Sequence, residues 1–413
     1  MGIKSNSMRI LLTGVSTRAM VESALKSLPA GKILSLDYFG DYDLQGLCEN
    51  YSLKRTFCRP FTASNLFSAS QYLSFQAVIY TSNLENYPSL LKKFQRKSIL
   101  LGNSPETLSR IRNPGIFFPF LERTGIPYPK TYFKDQKGKI KQSDPEFLQS
   151  MFLQKPIRSG GGFGITQIRV SEKKARQLIQ EYIPGLPCSA LFLANGQDSV
   201  LIGLTEQLIG LEEFGSRGFR YCGNILGKVW REAEGSHLLG ELAEITTLLT
   251  REFKLRGANG IDFILKDGVP YLLEVNPRYT AAMELIEKAY HLPIVEAHLN
   301  SLEGYLPAFN LTIHLEKGYW GKAILFAEKN LKVPPIQRDW FERGIRDIPR
   351  EGEFIYKGEP VCTLFACGPT REACYRQLVE KAEKLKADLA SFCWIHDSPE
   401  KLPSKELPEK YPR

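Results

Sequence analysis

The stretch Asn259-Gly260-Ile261-Asp262-Phe263-Ile264-Leu265-Lys266-Asp267-Gly268-Val269-Pro270-Tyr271-Leu272-Leu273-Glu274-Val275-Asn276-Pro277-Arg278 constrains this chain more than any other. Two apolar runs flank a Lys-Asp-Gly turn, which is the signature of a β-hairpin. With a loop over Asp267 to Val269, Asp262 faces Glu274 across the two strands. Strand alternation then predicts Asp262, Glu274 and Asn276 on one face, continued by Ile264 and Leu272. Two carboxylates held opposite each other among apolar residues repel unless a cation lies between them. Oxygen ligands without His or Cys point to magnesium, which takes one or two carboxylates and completes its shell with substrate phosphates. Arg278, two residues past Asn276, is placed to meet an anionic group.

A second block lies upstream: Leu153-Gln154-Lys155-Pro156-Ile157-Arg158-Ser159-Gly160-Gly161-Gly162-Phe163-Gly164-Ile165. Gly160, Gly161, Gly162 and Gly164 free the backbone to fold over a polyanion and present N–H groups to phosphate oxygens. Lys155 precedes the loop, where a point charge reaches a phosphate. No Gly-Lys-Ser/Thr follows, so this is not a Walker loop. A bare glycine run is compatible with a surface turn; the flanking Lys155 and Arg158 favour the phosphate loop.

The remaining chain reads as several packed units, because 413 residues exceed one ordinary core. Arg9–Gly14, Lys32–Asp37, Val78–Thr81 and Ser98–Leu101 are strand candidates separated by helical stretches such as Met20–Leu28, an alternation that predicts a parallel sheet over residues 1 to about 112. Asp37 falls about 20 residues past Gly14, as a dinucleotide fingerprint asks, yet the turn Gly14-Val15-Ser16-Thr17-Arg18-Ala19 lacks the second glycine that lets the backbone approach a pyrophosphate. Pro127 and Pro129 mark an extended entry into a new unit, and Pro184, Gly185 and Pro187 mark a hinge. Leu238–Phe253 has helical periodicity. Beyond Pro307, Leu311–His314, Lys322–Ala327, Glu353–Tyr356 and Val361–Phe365 read as strands, and Thr370 caps a helix that carries Cys374, Leu378, Leu385 and Leu389 on one face.

Composition excludes little but does exclude something. The apolar runs are far shorter than the roughly 18 to 20 residues of a membrane span, so no membrane association is expected and the cytoplasm is the expected compartment. Eight cysteines are scattered without a CxxC pair, which gives neither a zinc site nor a disulfide framework. The five histidines have no metal or triad spacing. A net charge of +9 suits an anionic small substrate, since basic runs interleaved with aromatics, as nucleic-acid binding would need, are short. The segment 397–413, proline-rich and charged, reads as a disordered tail.

The order of Lys155, the triple-glycine loop, Gln180-Glu181-Tyr182-Ile183-Pro184-Gly185, Asp262 and Glu274-Val275-Asn276-Pro277-Arg278 resembles the ATP-grasp superfamily over about residues 113 to 305. The resemblance implies α/β and α+β architecture: a pre-ATP-grasp parallel-sheet domain at 1–112, two ATP-grasp lobes at 113–187 and 188–305, and a small β-rich C-terminal domain at 306–396. It implies ATP and Mg2+ as cofactors. Lys155, Ser159 and the loop glycines would contact phosphate, with Arg112 in the place of the family's upstream lysine. Glu181, Tyr182 and Ile183 would be the hinge beside adenine. Asp262, Glu274 and Asn276 would hold the metal, and Arg278 with Lys155 would serve catalysis. The implied reaction is carboxylate–amine ligation through an acyl phosphate, with small-molecule acid and amine substrates, in a chain for which a homodimer is allowed. Gly14–Ser27 and Asp37–Leu44 resemble a carboligase group linked to one-carbon metabolism with tetrahydromethanopterin or methanofuran. The C-terminal segment resembles biotin carboxylase-like members, which makes a bicarbonate-using carboxylase the nearest rival activity. A nucleotide-binding regulator without turnover is a rival of another class, and an NAD enzyme is a third.

Overall fold

The computed structural model describes residues 8–133, 151–158, 160–168, 177–229 and 235–394. Ser159 and the segment 397–413 lie outside these residues.

The first five strands are short and nearly all apolar: β1 Ile10–Thr13, β2 Ile33–Asp37, β3 Glu49–Ser52, β4 Ala77–Tyr80 and β5 Ile99–Leu100. They form a parallel sheet in the order β3-β2-β1-β4-β5. Every residue of β1, β2 and β4 is buried, as expected where helices such as Arg18–Ala24 and Ala63–Ser70 cover the faces of a parallel sheet. The loops that leave β1, β2 and β4 open at the carboxyl ends of the strands, where crevices form in α/β sheets. Gly14 is required at the first of these loops: a Cβ there would lie 2.4 Å from Thr81 Cγ2 and 2.8 Å from the Ser82 carbonyl. Helix Pro114–Thr124 then starts on Asn113, whose side chain accepts from the Gly115 N–H, and stops at Gly125 in the left-handed conformation, φ 70°.

A small antiparallel sheet follows, built from β6 Thr131–Tyr132, β7 Phe152–Pro156, β8 Thr166–Ile168 and β9 Gln177–Glu181 in the order β6-β9-β7-β8. The larger antiparallel sheet has seven strands. They are β10 Leu186–Asn195, β11 Ser199–Ile209, β12 Tyr221–Leu226, β13 Arg256–Lys266, β14 Val269–Asn276, β15 Tyr319–Phe326 and, beyond two short strands, β18 Pro360–Gly368. Their order is β14-β13-β10-β11-β12-β15-β18, so two long strands from beyond residue 305 continue the sheet begun at 186. The short β16 Asn330–Lys332 and β17 Phe354–Ile355 pair with β19 Cys393–Trp394 in a third antiparallel sheet. Helix Gly235–Phe253 buries Leu238, Leu242, Ile245, Leu249 and Phe253, a three-four spacing that makes one apolar stripe.

Three sequence expectations need correction. Leu311–His314 is not a strand: Leu311–Leu315 is a short helix, nucleated by Asn310, whose Oδ1 accepts from the Thr312 N–H at 3.1 Å. The hairpin turn holds two residues, Asp267 and Gly268, because Lys266 already pairs with Val269. Both turn residues have positive φ, 51° and 78°, which is the backbone of a two-residue hairpin turn. The third concerns Leu272 and follows from this tighter turn.

Candidate active site

A two-residue turn alone would place Asp262 across from Leu273. The ladder shifts by one residue between Asp262 and Phe263, so Phe263 pairs with Leu272 while Asp262 pairs with Glu274. Leu273 is the extra residue of a β-bulge. The acids therefore do face each other, but the face they share continues through Leu273, which lines the cavity with Ile264. Leu272 turns the other way, into the main core at 1% exposure.

The cavity, about 980 Å³, lies between the small sheet and the seven-stranded sheet and reaches the loops of the N-terminal sheet. Asp262 is held in it by two donors. Ser189 Oγ donates to Oδ1 at 2.7 Å, and Asn276 Nδ2 donates to Oδ2 at 2.8 Å. Gln207 Nε2 donates to Ser189 Oγ at 2.7 Å, so three neighbouring strands fix the carboxylate. Burial, and then the charge of Glu274, push the Asp262 carboxyl up to about 7. Such a carboxyl is short of positive charge, and two carboxylates beside a side-chain amide are an oxygen set that suits magnesium. No group of three or more His, Cys, Asp or Glu that could hold a metal occurs among the described residues, so the donor set here is two carboxylates and one amide.

Three cations border the pair. Lys155, on β7, donates to Gln180 Oε1 at 2.6 Å. Its burial lowers the amine's pKa, an effect that Glu274 and Asp262 oppose. Arg112 Nη1 lies 3.3 Å from Glu274 Oε2 and Nη2 lies 3.6 Å from Glu85 Oε1. Arg278 Nε donates to Glu85 Oε1 at 2.7 Å, and Nη2 to Asn276 Oδ1 at 3.3 Å. Burial works against the Arg278 charge, but Glu85, and behind it Glu274 and Asp262, hold the guanidinium charged. Lys155, Arg112 and Arg278 are thus matched by Asp262, Glu274 and Glu85. Arg220 borders the same cavity with its guanidinium 3.7 Å from the centroid of the Phe326 ring, and a divalent ion on the carboxylates would add to the positive charge that a polyphosphate meets there.

The glycine loop bends as its composition demands. Gly161, Gly162 and Gly164 have φ of 63°, 74° and 76°, a region costly for other residues. The Gly161 carbonyl accepts from the Tyr221 N–H at 3.1 Å, which ties the loop to β12. At Gly162 a Cβ would sit 1.8 Å from the Phe219 carbonyl oxygen. Gly160, Gly161 and Gly162 line the cavity, as do Glu181 at the end of β9 and Tyr182 and Ile183 on the short link to β10.

Asp37 does not face a ligand. Its Oδ2 accepts from Thr17 N–H at 3.1 Å and Thr17 Oγ1 at 2.9 Å, and Oδ1 accepts from Gly40 N–H at 2.9 Å. The acid is spent on its own loops, in keeping with the missing second glycine. His298 is a packed residue: Nδ1 accepts from the Ala258 N–H at 2.9 Å and Nε2 lies 3.2 Å from the Leu101 carbonyl. Ser189, Gln207 and Glu85 escaped sequence reasoning. Strand register alone brings Ser189 and Gln207 to Asp262. Glu85 did carry a signal, its place just past the carboxyl end of a parallel strand.

Residues 116–282 match the family model of the ATP-grasp domain. The chain contains an ATP-grasp domain. That span takes in Lys155, the glycine loop and the hairpin with Asp262, Glu274 and Asn276. An uncharacterized protein of Methanocaldococcus jannaschii is 27% identical over 374 residues, covering 87% of this chain and 88% of that one. Solved structures share the ATP-grasp fold well beyond the matched domain. Biotin carboxylase from Campylobacter jejuni, solved as a β-γ-ATP complex, has a TM-score of 0.65 at 13% identity over 95% of this chain and 93% of that chain. L-amino acid ligase from Bacillus licheniformis has a TM-score of 0.62 at 13% identity over 91% and 97%. The mixed α/β architecture expected from the sequence is the one observed. No helix among the described residues is long and apolar enough to cross a membrane.

Proposed function

We propose that the chain is an ATP-dependent ligase that activates a carboxylate as an acyl phosphate, joins it to an amine, and releases ADP and phosphate. The observation that carries this reading is the carboxylate pair Asp262 and Glu274 set opposite Lys155 and beside Arg278 in one cavity roofed by a glycine loop. ATP and magnesium, which the ATP-grasp domain takes, fit this donor set: Asp262, Glu274 and Asn276 would hold the metal, which when bound neutralises phosphate oxygens. The chain's own groups do the rest by position and charge. Lys155 and the N–H groups of the glycine loop hold the phosphates. Arg112 stands in for the upstream lysine of the family. Glu181, Tyr182 and Ile183 border adenine. Arg278 orients the substrate carboxylate and stabilises the oxyanion that forms when the amine attacks. Closure of the loop keeps water from the acyl phosphate. The units at 1–112, 113–187, 188–305 and 306–396 are the proposed domains, and the cytoplasm the proposed compartment. The likeness of Gly14–Ser27 and Asp37–Leu44 to one-carbon carboligases supports a product that is a coenzyme or its precursor, tied to tetrahydromethanopterin or methanofuran. Normal levels of both coenzymes in a deletion strain would remove that last idea.

The deciding experiment supplies ATP, Mg2+ and a panel of carboxylic acids with hydroxylamine in place of the amine. A hydroxamate and ADP are expected for the right acid, and oxygen-18 in its carboxylate should appear in the released phosphate. AMP with pyrophosphate, or unlabelled phosphate during coupled turnover, would overturn the acyl phosphate route.

A further inference from the structure

Beyond the groups already described, the cavity is bordered by Tyr38, Asp41, Lys54, Lys322, Asp347 and Thr363. It gathers carboxylates from distant parts of the chain, and nearly all of them have named partners. Arg18, 1% exposed, donates to Asp347 through Nε at 3.0 Å and Nη2 at 3.1 Å, to Glu22 at 3.1 Å, and to both oxygens of Glu284. Lys322 Nζ donates to Glu284 Oε2 at 2.7 Å, and Thr363 Oγ1 to Asp347 Oδ2 at 2.5 Å. Asp43 accepts the N–H groups of Asp347 and Ile348 at 2.9 and 3.0 Å. Asp37 is satisfied by Thr17 and Gly40.

Asp41 is the exception. It is 6% exposed, and its Oδ2 is buried with no hydrogen-bond partner among the described residues. No neighbouring cation donates a hydrogen bond to it among the described residues: Lys54 pairs with Glu353, and Arg350, whose charge Asp41 supports from a distance, donates to the Gly40 carbonyl at 2.9 Å and to Gln45 at 3.3 Å. Burial, and then the like charges of Asp347, Asp37 and Asp43, hold the Asp41 carboxyl well above the usual carboxylate range while Arg18 works the other way, so a cation arriving beside it would stabilise its charged form. A buried acceptor left alone costs free energy, and in native proteins such a group commonly awaits an ion or ligand. Protonation does not satisfy the group either, because a carboxyl O–H also needs an acceptor.

We propose that Asp41 anchors an ammonium group of the amine substrate. This narrows the substrate to amines protonated at neutral pH, alkyl amines and amino acids, and excludes weakly basic ones. It rests on the ligase reading, since it names the second substrate of that same cavity.

Titration calorimetry with the full chain and MgADP would use putrescine, L-lysine and ethylamine as probes, with 1,4-butanediol as the neutral match for putrescine. At least one ammonium probe is expected to bind the wild type, with the diol at least about tenfold weaker, and Asp41→Asn to weaken that probe by about tenfold or more. Asp198→Asn, on the surface, should change nothing. Equal binding of amine and diol to the wild type overturns the proposal without reference to any variant. So does unchanged amine affinity in a folded Asp41→Asn, or binding of K+ or Mg2+ that Asp41→Asn abolishes with no amine binding. Loss of hydroxamate in the wild type with every acid would sink the ligase reading instead, and amine binding at Asp41 would still be read separately.

Discussion

Glu274 stands across from Asp262 because Leu273 bulges out of the ladder between Glu274 and Leu272. The bulge does two things at once: it opposes the two acids, and it sends Leu272 into the core as Leu273 takes the cavity wall. Asp262→Ala and Glu274→Ala should each abolish Mg2+-dependent ATP turnover with the fold intact by circular dichroism. Ser189→Ala, which removes a donor to Asp262, should weaken Mg2+ by roughly 10- to 100-fold, the usual effect of losing a group that orients a metal ligand. Near wild-type turnover in either carboxylate variant would show that the metal lies elsewhere.

Lys155→Ala and Lys155→Met should both weaken ATP by about 1.5 to 3 kcal/mol, the worth of a charged phosphate contact. Calorimetry measures this directly. An unchanged dissociation constant would mean that Lys155 serves only Gln180, its partner at 2.6 Å.

Glu85→Gln removes the charge that holds Arg278 at 2.7 Å. Turnover is expected to fall about tenfold or more while ATP affinity stays near that of the wild type, because the loss concerns orientation of a group at the reacting carboxylate. Parallel losses of ATP affinity and turnover would point to general collapse of the cavity.

Gly162→Ala tests the loop. Alanine is strained at φ 74°, by about 1 to 3 kcal/mol, and its Cβ would collide with the Phe219 carbonyl. The glycine loop should no longer settle against Phe219 and Tyr221, so acyl phosphate should be lost to water and ATP hydrolysis should uncouple from product. Tight coupling in this variant would count against a closing role.

His298 gives a pH signature. Burial depresses its pKa from 6.5 to about 4, so the unfolded chain takes up a proton at higher pH than the folded one. The folded state is therefore favoured above pH 6.5 and loses that advantage as pH falls through 6.5 toward 4, by up to about 3 kcal/mol. Asp37 and Asp43, raised to about 6, act in the opposite sense, so the quantity to measure is the difference in urea unfolding between wild type and His298→Asn. That difference should shrink on acidification, and a constant difference from about pH 7 to about pH 4.5 would refute the assignment.

Much of this architecture was legible in the residues. The parallel strands announced themselves as short apolar runs between helices, and the hairpin acids were found by alternation even though the turn is shorter than expected. That success came from two offsetting errors, a turn one residue too long and a bulge unseen, and Leu272 exposed it. A bulge has no local sign where two leucines, Leu272 and Leu273, stand side by side and either could take the paired position. Leu311–Leu315 misled because Leu, Thr and Ile are at home in strands, and the Asn310 cap outweighed them. Ser189 and Gln207 were invisible for another reason: they lie 73 and 55 positions before Asp262, on strands whose register no motif states.

The route of the seven-stranded sheet bears on how this protein can be cut. Tyr319–Phe326 pairs with Tyr221–Leu226, and Pro360–Gly368 pairs in turn with Tyr319–Phe326. A chain ending near residue 305 would leave Tyr221–Leu226 as a bare border with its main-chain donors and acceptors unsatisfied and Cys222, Ile225 and Leu226 uncovered. Such a border recruits other copies of itself, so a fragment trimmed to the matched ATP-grasp span should precipitate where the longer chain stays dispersed.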